Sequence, residues 1–419
     1  MKNKDSAISR WLIIFSLVFA GEMIFSLPFH IARFFRPTFL TAFNFSNSDF
    51  GDIISFYGIT AMIAYFPGGI IADRFSARRL MTVSLLATAA GGLFLTLIPG
   101  YLGLSILFGY WGITTILVFW SAMIKATREW GGNLEQGKAF GILDGGRGLV
   151  AAGVASFGVY LLSNMFPDNI EVLTDAQRIS SLQTLIWYYT ILTALAGLLV
   201  WFVIPENKNK QSSITQQPLK GIKSVIRNRN VWMQAIIVVC AYCGYKSLDY
   251  YSLYAVDILG MNELESAQFV SNAAYLRPVA AISAGFIVDR FNAKKVIQIT
   301  FIVLVLIYTS LFLIVPSSTI INLITVNILI SFFGVYALRG VYFALVAETK
   351  IPVALTGTAV GLISVIGYTP DIFINSLAGR ILDANPGQVG YQNYFLMLAI
   401  FSIIGLIATF VLTTNKKLK

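Results

Sequence analysis

Apolar segments of close to twenty residues or more follow one another along the whole chain. A helix of about 20 mainly apolar residues spans the hydrocarbon core of a bilayer. A helix also satisfies its own backbone hydrogen bonds, which an irregular segment in lipid does not. The segments lie at roughly 11–35, 52–72, 80–98, 101–124, 139–163, 183–204, 231–257, 266–288, 295–315, 319–343, 354–382 and 390–413. The sequence therefore predicts an all-α membrane protein with about 12 transmembrane helices.

Composition agrees with a chain that lies mostly in lipid. Hydrophobic residues make up 57% of the 419 residues and charged residues 12%, about half the charged share of a soluble domain. This balance excludes a soluble domain of any size. The first apolar segment follows basic residues, as a secretory signal does, but it is long and contains Glu22. We therefore predict an uncleaved first helix.

The net charge of +10 has a topological explanation. The basic residues lie mostly in alternate connecting segments, which is typical of the cytoplasmic side of a membrane protein, so no nucleic-acid partner is expected. They include Lys2, Lys4, Arg10, Arg74, Arg78, Arg79, Lys125, Arg128, Lys138, Arg290, Lys294, Lys295, Lys350, Lys416 and Lys417. With an even number of helices, this pattern predicts that both termini face the cytoplasm, with the chain in the plasma (inner) membrane.

The longest polar stretch divides the chain into two halves. Residues 205–230 are rich in Asn, Lys, Ser and Gln, a composition typical of a flexible linker. We predict an N-terminal six-helix bundle over 1–204, a cytoplasmic linker over 205–230 and a C-terminal six-helix bundle over 231–419. The alternative for the linker is a regulatory or partner-binding loop.

An internal repeat supports this division. Residues 69–79 read GIIADRFSARR, and residues 285–295, which lie 216 positions further along, read GFIVDRFNAKK. Glycine lets two helices approach closely, and the aspartate can accept hydrogen bonds from a helix N-terminus or pair with arginine. We therefore predict a conformational latch at this turn in both halves; the alternative is a plain basic turn. The predicted latch residues are Gly69, Asp73, Arg74, Arg78, Gly285, Asp289 and Arg290.

The duplicated Gly-x3-Asp-Arg-x3-basic-basic turn resembles the signature of the major facilitator superfamily. That superfamily has this turn between helices two and three, with a copy between helices eight and nine. The resemblance covers essentially the whole chain. It implies two pseudo-symmetric six-helix bundles, a central cavity between them, alternating access by rocking, and a protein that works as a monomer.

Three shorter stretches resemble the organophosphate:phosphate antiporter branch. They are YKSLDY at 245–250, GTAVG at 357–361 followed by GY at 367–368, and the glycines between 131 and 141. That branch binds phosphate with arginines in helices one and seven, but the matching positions here hold Phe29 or His30, and Gly244. The resemblance therefore implies a relative with an altered substrate.

Ionisable residues inside the apolar segments are functional candidates, because a charge in the bilayer interior is costly. The set consists of Glu22, Asp144, Arg147, Lys246, Asp249, Arg277 and Asp371, with Asn375 one turn beyond Asp371. Lys246 and Asp249 are three residues apart and so share one face of a helix.

We predict that these residues bind the solute and a proton. The predicted substrate-binding residues are Lys246, Arg277, Arg33, Arg147, Tyr245, Tyr250 and Asn375. The predicted proton-coupling residues are Glu22, Asp249 and Asp371, because burial of a carboxyl group favours its neutral form. The structural alternative is pairing of Lys246 with Asp249, of Asp144 with Arg147, or of Arg277 with a carboxylate. His30, the single histidine, titrates near neutral pH in water.

No sequence feature indicates an enzyme. The chain has no phosphate-binding Gly-x4-Gly-Lys-Ser/Thr loop and no serine elbow, and Cys240 and Cys243 lack a second ligand pair for zinc. No cofactor or metal is expected. We predict a secondary transporter that moves a small polar, anionic organic solute by alternating access, coupled to protons or to exchange. The alternatives are organophosphate:phosphate exchange, a symporter of an amino acid or other zwitterion with protons, drug efflux, and a non-transporting membrane sensor.

Overall fold

A computed structural model describes residues 2–132, 135–167, 173–206, 222–317, 319–349 and 356–413. Side chains at 2–8, 66, 136, 137, 222, 289, 347, 356 and 357 lie outside this description. Helices make up most of the described residues. In chain order they are α1 (Lys2–Met23), α2 (Ile31–Phe34), α3 (Arg36–Phe43), α4 (Asn47–Arg74), α5 (Ala77–Leu95), α6 (Tyr101–Gly112), α7 (Ser121–Gly131), α8 (Gln136–Ser163), α9 (Asp175–Val203), α10 (Ile222–Arg227), α11 (Arg229–Ser247), α12 (Tyr251–Asp257), α13 (Glu263–Ala274), α14 (Leu276–Phe291), α15 (Ala293–Leu313), α16 (Ile321–Val341), α17 (Leu345–Glu348), α18 (Thr356–Gly367), α19 (Pro370–Ala384) and α20 (Gln388–Val411).

Eight helices among the described residues are long and apolar enough to cross a membrane. Two bent pairs raise this number to ten if each pair is one span. Each of the twelve segments predicted from the sequence overlaps helix. The two that are not among the ten spans are α5, which begins with two arginines close to its first residue, and the pair α13–α14.

Several helices begin earlier than the apolar pattern predicts, because polar caps extend them. Ser46 and Asp49 form a capping box at the start of α4, and Thr174 and Gln177 form one at the start of α9. In such a box, two backbone N–H groups that have no partner within the helix are satisfied by side chains. The caps therefore add polar turns ahead of the lipid-spanning residues.

Three spans depart from α-helical geometry at positions close to charged side chains. The first span bends by 43° between Met23 and Ser26 and continues as a π-helix over Ser26–His30. A second π-helix, Ile113–Trp120, joins α6 to α7, and a 3₁₀ turn, Leu248–Tyr250, joins α11 to α12. Such local changes of helix type commonly accompany functional sites.

The chain forms two compact units. Unit 1 consists of Met1–Ser213 with Asp249–Pro278, and unit 2 consists of Ile214–Leu248 with Val279–Lys419. In unit 1, α5 packs against α9, α4 against α6, and α1 and α13 against α8. In unit 2, α15 and α11 pack against α20, and α11 packs against α18. The division into bundles over 1–204 and 231–419 stays a prediction, and residues 207–221 of the predicted linker lie outside the described part of the chain.

Candidate functional site

Five of the described charged or titratable side chains meet inside unit 1. They form the Glu22 cluster, which consists of Glu22, His30, Asp144, Arg147 and Arg277. Glu22, His30, Arg147 and Arg277 are buried, whereas the side chain of Asp144 is 37% exposed. The cluster draws on four elements, namely α1, the π-helix, α8 and α14.

Glu22 is the centre of this cluster. Arg147 Nε lies 3.0 Å from Glu22 Oε2, and Arg277 Nη1 lies 3.2 Å from Glu22 Oε1. His30 Nε2 is 3.1 Å from the same Oε1 atom. Arg277 also contacts Asp144, with 3.3 Å between Nη2 and Oδ1. A buried carboxylate is thus shared by two guanidinium groups and one imidazole.

Glycines make this approach of helices possible. A Cβ atom at Gly148 would lie 3.0 Å from Arg277 Cγ, and one at Gly146 would lie 2.8 Å from Val18 Cγ1. At Gly21 a Cβ would lie 2.8 Å from Met123 Sδ and 3.3 Å from Arg147 Cδ. The run Gly145-Gly146-Arg147-Gly148 therefore brings α8 against α1 and leaves room for Arg277. This glycine run is a sequence signal of the cluster that the pattern of charges alone does not reveal.

A second polar group in unit 1 involves three of the predicted residues. Arg33 Nε lies 2.5 Å from Asp249 Oδ1, and Ser252 Oγ donates to the backbone carbonyl of Arg33 at 3.0 Å. Tyr250 is buried, and the Arg36 guanidinium lies 4.0 Å from the centre of its ring. The predicted substrate contact Tyr250 is therefore a packing partner of a cation in this conformation.

Further along the same unit, Glu263 connects α13 to two earlier helices. It accepts from Arg178 at 2.8 Å and from Thr38 at 2.5 Å. Arg178 also pairs with Asp175, one turn earlier in α9. Neither Glu263 nor Arg178 was predicted as a site residue, because both lie in polar segments that the sequence pattern assigns to loops.

Unit 2 contains a smaller charged group, the Asp371 cluster, which consists of Tyr242, Lys246 and Asp371. Lys246 Nζ lies 3.3 Å from Asp371 Oδ1. Tyr242 donates to both carboxylate oxygens, at 3.2 Å and 3.0 Å. The side chain of Lys246 is 2% exposed, and that of Asp371 is 13% exposed.

Aromatic rings surround the Asp371 cluster. Tyr242 stacks on Tyr245 with 5.6 Å between ring centres, and the Arg339 guanidinium lies 3.8 Å from the centre of the Tyr245 ring. Tyr368 packs edge-on against Tyr242 at 5.0 Å. The predicted residue Asn375 is buried one helical turn beyond Asp371 on α19. Tyr242 and Arg339 complete a group of which the sequence indicated only part.

The structure gives partners for the charges whose pairing was expected. Lys246 pairs with Asp371 and Asp249 pairs with Arg33. The pairing of Lys246 with Asp249 and that of Asp144 with Arg147 stay predictions. Arg147 pairs with Glu22. The expected pairing of Arg277 with a carboxylate is confirmed, and the structure identifies its partners as Glu22 and Asp144.

The repeated basic turns have matching local structure. Ser76 caps α5 by accepting from the Arg79 N–H, and Asn292, 216 positions later, caps α15 by accepting from the Lys295 N–H. Arg78 and Arg79 pair with Glu206 at 2.7 Å and 2.6 Å. In unit 2, Glu348 accepts from the Ala293 and Lys294 N–H groups at 2.6 Å and 3.2 Å.

The predicted latch residues lie in or beside these turns. Gly69, Asp73 and Arg74 are exposed near the end of α4, and the last two line a cavity of about 540 Å³ with Arg79, Lys125 and Glu129. Gly285 and Arg290 lie in α14, and the side chain of Asp289 lies outside the described residues. The latch role stays a prediction.

The family follows from comparison with known sequences. The sequence model of the Major Facilitator Superfamily matches residues 11–374. The chain belongs to this superfamily. Its membership confirms the resemblance seen in the repeated turn and makes the chain a transporter and not an enzyme. The likeness of short motifs to the organophosphate:phosphate branch stays a prediction.

Two inner-membrane proteins of Escherichia coli (strain K12) are similar over nearly their whole length. YqcE is 29% identical over 425 residues, which cover 99% of this chain and 97% of the relative. YihN is 27% identical over 413 residues, covering 96% and 95%. Among solved structures, a D-xylose-proton symporter superposes with a TM-score of 0.74 at 15% identity, covering 97% of each chain. The structural likeness confirms the predicted superfamily fold.

Proposed function

We propose that this transporter moves a small organic anion by secondary active transport, with Arg277 and Arg147 as the residues that bind the anionic group. The supporting observation is that Glu22 is held by both guanidinium groups. Each guanidinium presents five N–H groups, so the two arginines together can bind a carboxylate or phosphate group from several sides. A carboxylate or phosphate ester matches the planar fork of a guanidinium and can replace Glu22 there.

Arg277 is the better candidate of the two for first contact with the solute. Its second nitrogen contacts Asp144, whose side chain is 37% exposed, whereas Arg147 packs against the rings of Phe25 and Trp120. Displacing Asp144 from Arg277 costs less free energy than displacing a fully buried carboxylate, since the partly exposed Asp144 regains hydrogen bonds to water. After this first contact the anion also takes the place of Glu22, which is the internal counterion of Arg277 in the absence of the solute.

The Asp371 cluster of unit 2 supports a coupling role. Asp371 accepts from Lys246 and from Tyr242 and remains partly exposed. If Asp371 takes up a proton, the ion pair with Lys246 is lost while the tyrosine hydrogen bond can remain. We propose this release of Lys246 as one step that links proton movement to the solute. Exchange without protons is the alternative mode, in which an anion replaces Asp371 directly.

The first experiment is a thermal-shift screen of the purified protein. The panel contains organic phosphates, sugar acids, amino acids and nucleosides, because a compound that binds the folded state raises the melting temperature. An anion is expected to stabilise the parent protein and to lose this effect in Arg277→Gln. Arg277→Lys is the matched control, since it keeps the charge but loses the fork. Stabilisation by nucleosides or neutral sugars alone would contradict the proposal.

Two narrower candidates are distinguished by the same panel. Two guanidinium groups on one carboxylate also suit a phosphate dianion, which favours organophosphate:phosphate exchange. Stabilisation by a phosphate ester and by inorganic phosphate supports this candidate. Stabilisation by an amino acid, with dependence on Asp144 as well as Arg277, supports a zwitterion symporter. If no compound is transported into vesicles although one binds, a membrane sensor is favoured.

Coupling is then measured in proteoliposomes with the compound that binds. Uptake that rises with an inward proton gradient indicates symport, and uptake that requires internal solute indicates exchange. Asp371→Asn is expected to abolish the gradient dependence under the first mode. Under the second mode the same variant leaves a dependence on internal solute.

We also propose an inner-membrane location with both termini in the cytoplasm, in a monomer that needs only lipid and solute as partners. The relatives are named as inner-membrane proteins, and the basic turns at Arg78 and Lys294 fit the positive-inside rule. Labelling of single cysteines placed at Ser76 and at Asn262 tests the orientation. An impermeant reagent added outside intact cells is expected to modify the second and not the first.

A further inference from the structure

His30 is the single histidine of the chain, and it lies buried at the end of the π-helix. Its Nε2 atom contacts Glu22, while Nδ1 is buried without a hydrogen-bond partner among the described residues. The ring packs edge-on against Phe34 and Tyr189, with 5.7 Å and 6.1 Å between ring centres. A buried ring nitrogen with no partner has a cost, which suggests that it acts in another state of the protein.

The contacts of Glu22 determine which nitrogen carries the hydrogen. Glu22 faces two guanidinium groups, so its carboxylate acts as an acceptor. An acceptor needs a donor opposite it, and Nε2 is therefore the N–H nitrogen of the ring. Nδ1 then carries a lone pair, and it can accept one proton without disturbing the bond to Glu22.

The charged groups around His30 balance when the ring is neutral. Glu22 comes from α1, Asp144 and Arg147 come from α8, and Arg277 comes from α14. These four groups sum to zero charge. The ring also packs against Tyr189 of α9, and Arg33 of α2, which is paired with Asp249, acts on it electrostatically. A single added charge of either sign disturbs this balance.

We propose that His30 is the proton-binding residue of the Glu22 cluster and that it takes up one proton for each negative charge that the solute brings. The inference rests on the proposed function, because the solute anion is what adds the negative charge. When the anion pairs with Arg277, Glu22 loses one cation and the cluster carries a net charge of −1. A proton from water adds to Nδ1, Nε2–H remains on Glu22, and the sum returns to zero.

Burial explains why the two events are linked. Nδ1 is buried out of contact with solvent, so a proton does not reach it until the cluster rearranges. A protonated imidazole beside two arginines and two carboxylates would also leave an uncompensated buried charge, which is unfavourable. Proton uptake before anion binding is thereby suppressed, and leak of protons through the empty transporter is reduced.

The test uses the fact that the chain has one histidine. The full-length protein, purified with a tag free of histidine and labelled with ¹⁵N-histidine, gives one pair of imidazole nitrogen signals. Their shifts distinguish the neutral Nε2–H form, the neutral Nδ1–H form and the imidazolium. The parent protein is expected to show the neutral Nε2–H form near pH 7, where an unperturbed histidine is partly protonated. Imidazolium or the Nδ1–H form in the parent would overturn the proposal.

Arg277→Gln reproduces the loss of Arg277 from Glu22 without any solute. We expect conversion of the signal to imidazolium at the same pH, and no conversion in the charge-retaining control Arg277→Lys. If Arg277→Gln does not fold, Arg147→Gln removes the other cation and is expected to give the same conversion. A neutral ring in the folded Gln variants would refute the role of His30. This experiment uses no solute, so its result can be interpreted even if the proposed anion transport is wrong.

Discussion

The Glu22 cluster of unit 1 and the Asp371 cluster of unit 2 differ in how deeply their carboxylates are buried. Both place a carboxylate inside a membrane protein next to a buried cation. Glu22 has three nitrogen partners, from Arg147, Arg277 and His30. Asp371 pairs with Lys246 and accepts from Tyr242.

Burial of the carboxylate decides what the loss of its partner costs. A buried charge that loses its partner is strongly destabilising, whereas a partly exposed carboxylate can turn to water. Glu22 is almost fully buried, and Asp371 keeps 13% of its side chain exposed. We therefore expect the Glu22 cluster to contribute more to stability, and the Asp371 cluster to change its bonds more easily during transport.

The largest expected effect is the removal of the Glu22 carboxylate. Glu22→Ala removes the carboxylate that Arg147 and Arg277 share and leaves Asp144 opposite Arg277. A buried pair broken in this way costs about 3–5 kcal/mol. Thermal melting of the purified protein measures the loss. The double variant Glu22→Ala with Arg277→Ala removes one of the two cations and is expected to recover part of the stability. An unchanged melting temperature in the single variant would show that the cluster is not a stabilising centre.

The equivalent change in unit 2 is expected to have a smaller effect. Asp371→Asn removes the charge opposite Lys246 but keeps the side-chain shape, and a hydrogen bond to a charged group contributes about 1.5–3 kcal/mol. Tyr242→Phe is the matched control, since it removes one bond to Asp371 and leaves the ion pair. If Asp371→Asn costs more than Glu22→Ala, the comparison between the clusters is wrong.

The sequence predicted the fold better than it predicted the clusters. The spacing of apolar segments and the repeated turn are local patterns, so they indicated the helices and the superfamily from one sequence. The residues of the clusters were also visible, because a charge in an apolar segment is rare. Arg147, Arg277 and Lys246 were all singled out in this way.

The sequence did not indicate which of these residues pair with each other. The partners of Glu22 lie 8, 125 and 255 positions away, and no local pattern specifies contacts at such separations. The 3₁₀ turn that contains Asp249 was not predicted either, because helix propensity contains no clear signal for it. The glycines around Arg147 were the missed clue, because they mark where α8 approaches α1.

The two basic turns extend the comparison to matched helix caps. Ser76 and Asn292 occupy equivalent places in the repeat, and both accept from the N–H three residues on. Ser76→Ala is expected to cost about 1 kcal/mol, the usual value for a lost cap. Asn292 has φ of 89°, a region that alanine tolerates poorly, so Asn292→Ala is expected to cost about 2 kcal/mol.

Asn292→Gly separates the loss of the capping hydrogen bond from the backbone strain that alanine has at this positive φ. Glycine adopts positive φ freely, and a glycine cap is only a few tenths of a kcal/mol weaker than asparagine. Melting temperatures of the three variants, measured under one condition, check the order. Equal losses for Ser76→Ala and Asn292→Ala would show that backbone strain has no part in the second cap.

The smallest effect is expected at an exposed carboxylate, and it tests whether burial is the variable that ranks the others. Glu135 lies between α7 and α8 and pairs with Arg10 and Lys138 on the surface.

The hydrogen bonds from Arg10 and Lys138 hold the pKa of Glu135 below its ordinary value of 4.5. Because the pKa is lowered in the folded state, the contribution of this carboxylate is complete above pH 4.5 and is lost as the pH falls through the lower folded-state value. The melting temperatures of the parent and of Glu135→Gln should therefore differ slightly near neutral pH, converge in acid, and converge also in high salt, which screens exposed charges. A loss as large as that of Glu22→Ala would mean that the number of partners, and not burial, sets the cost of removing a carboxylate from this protein.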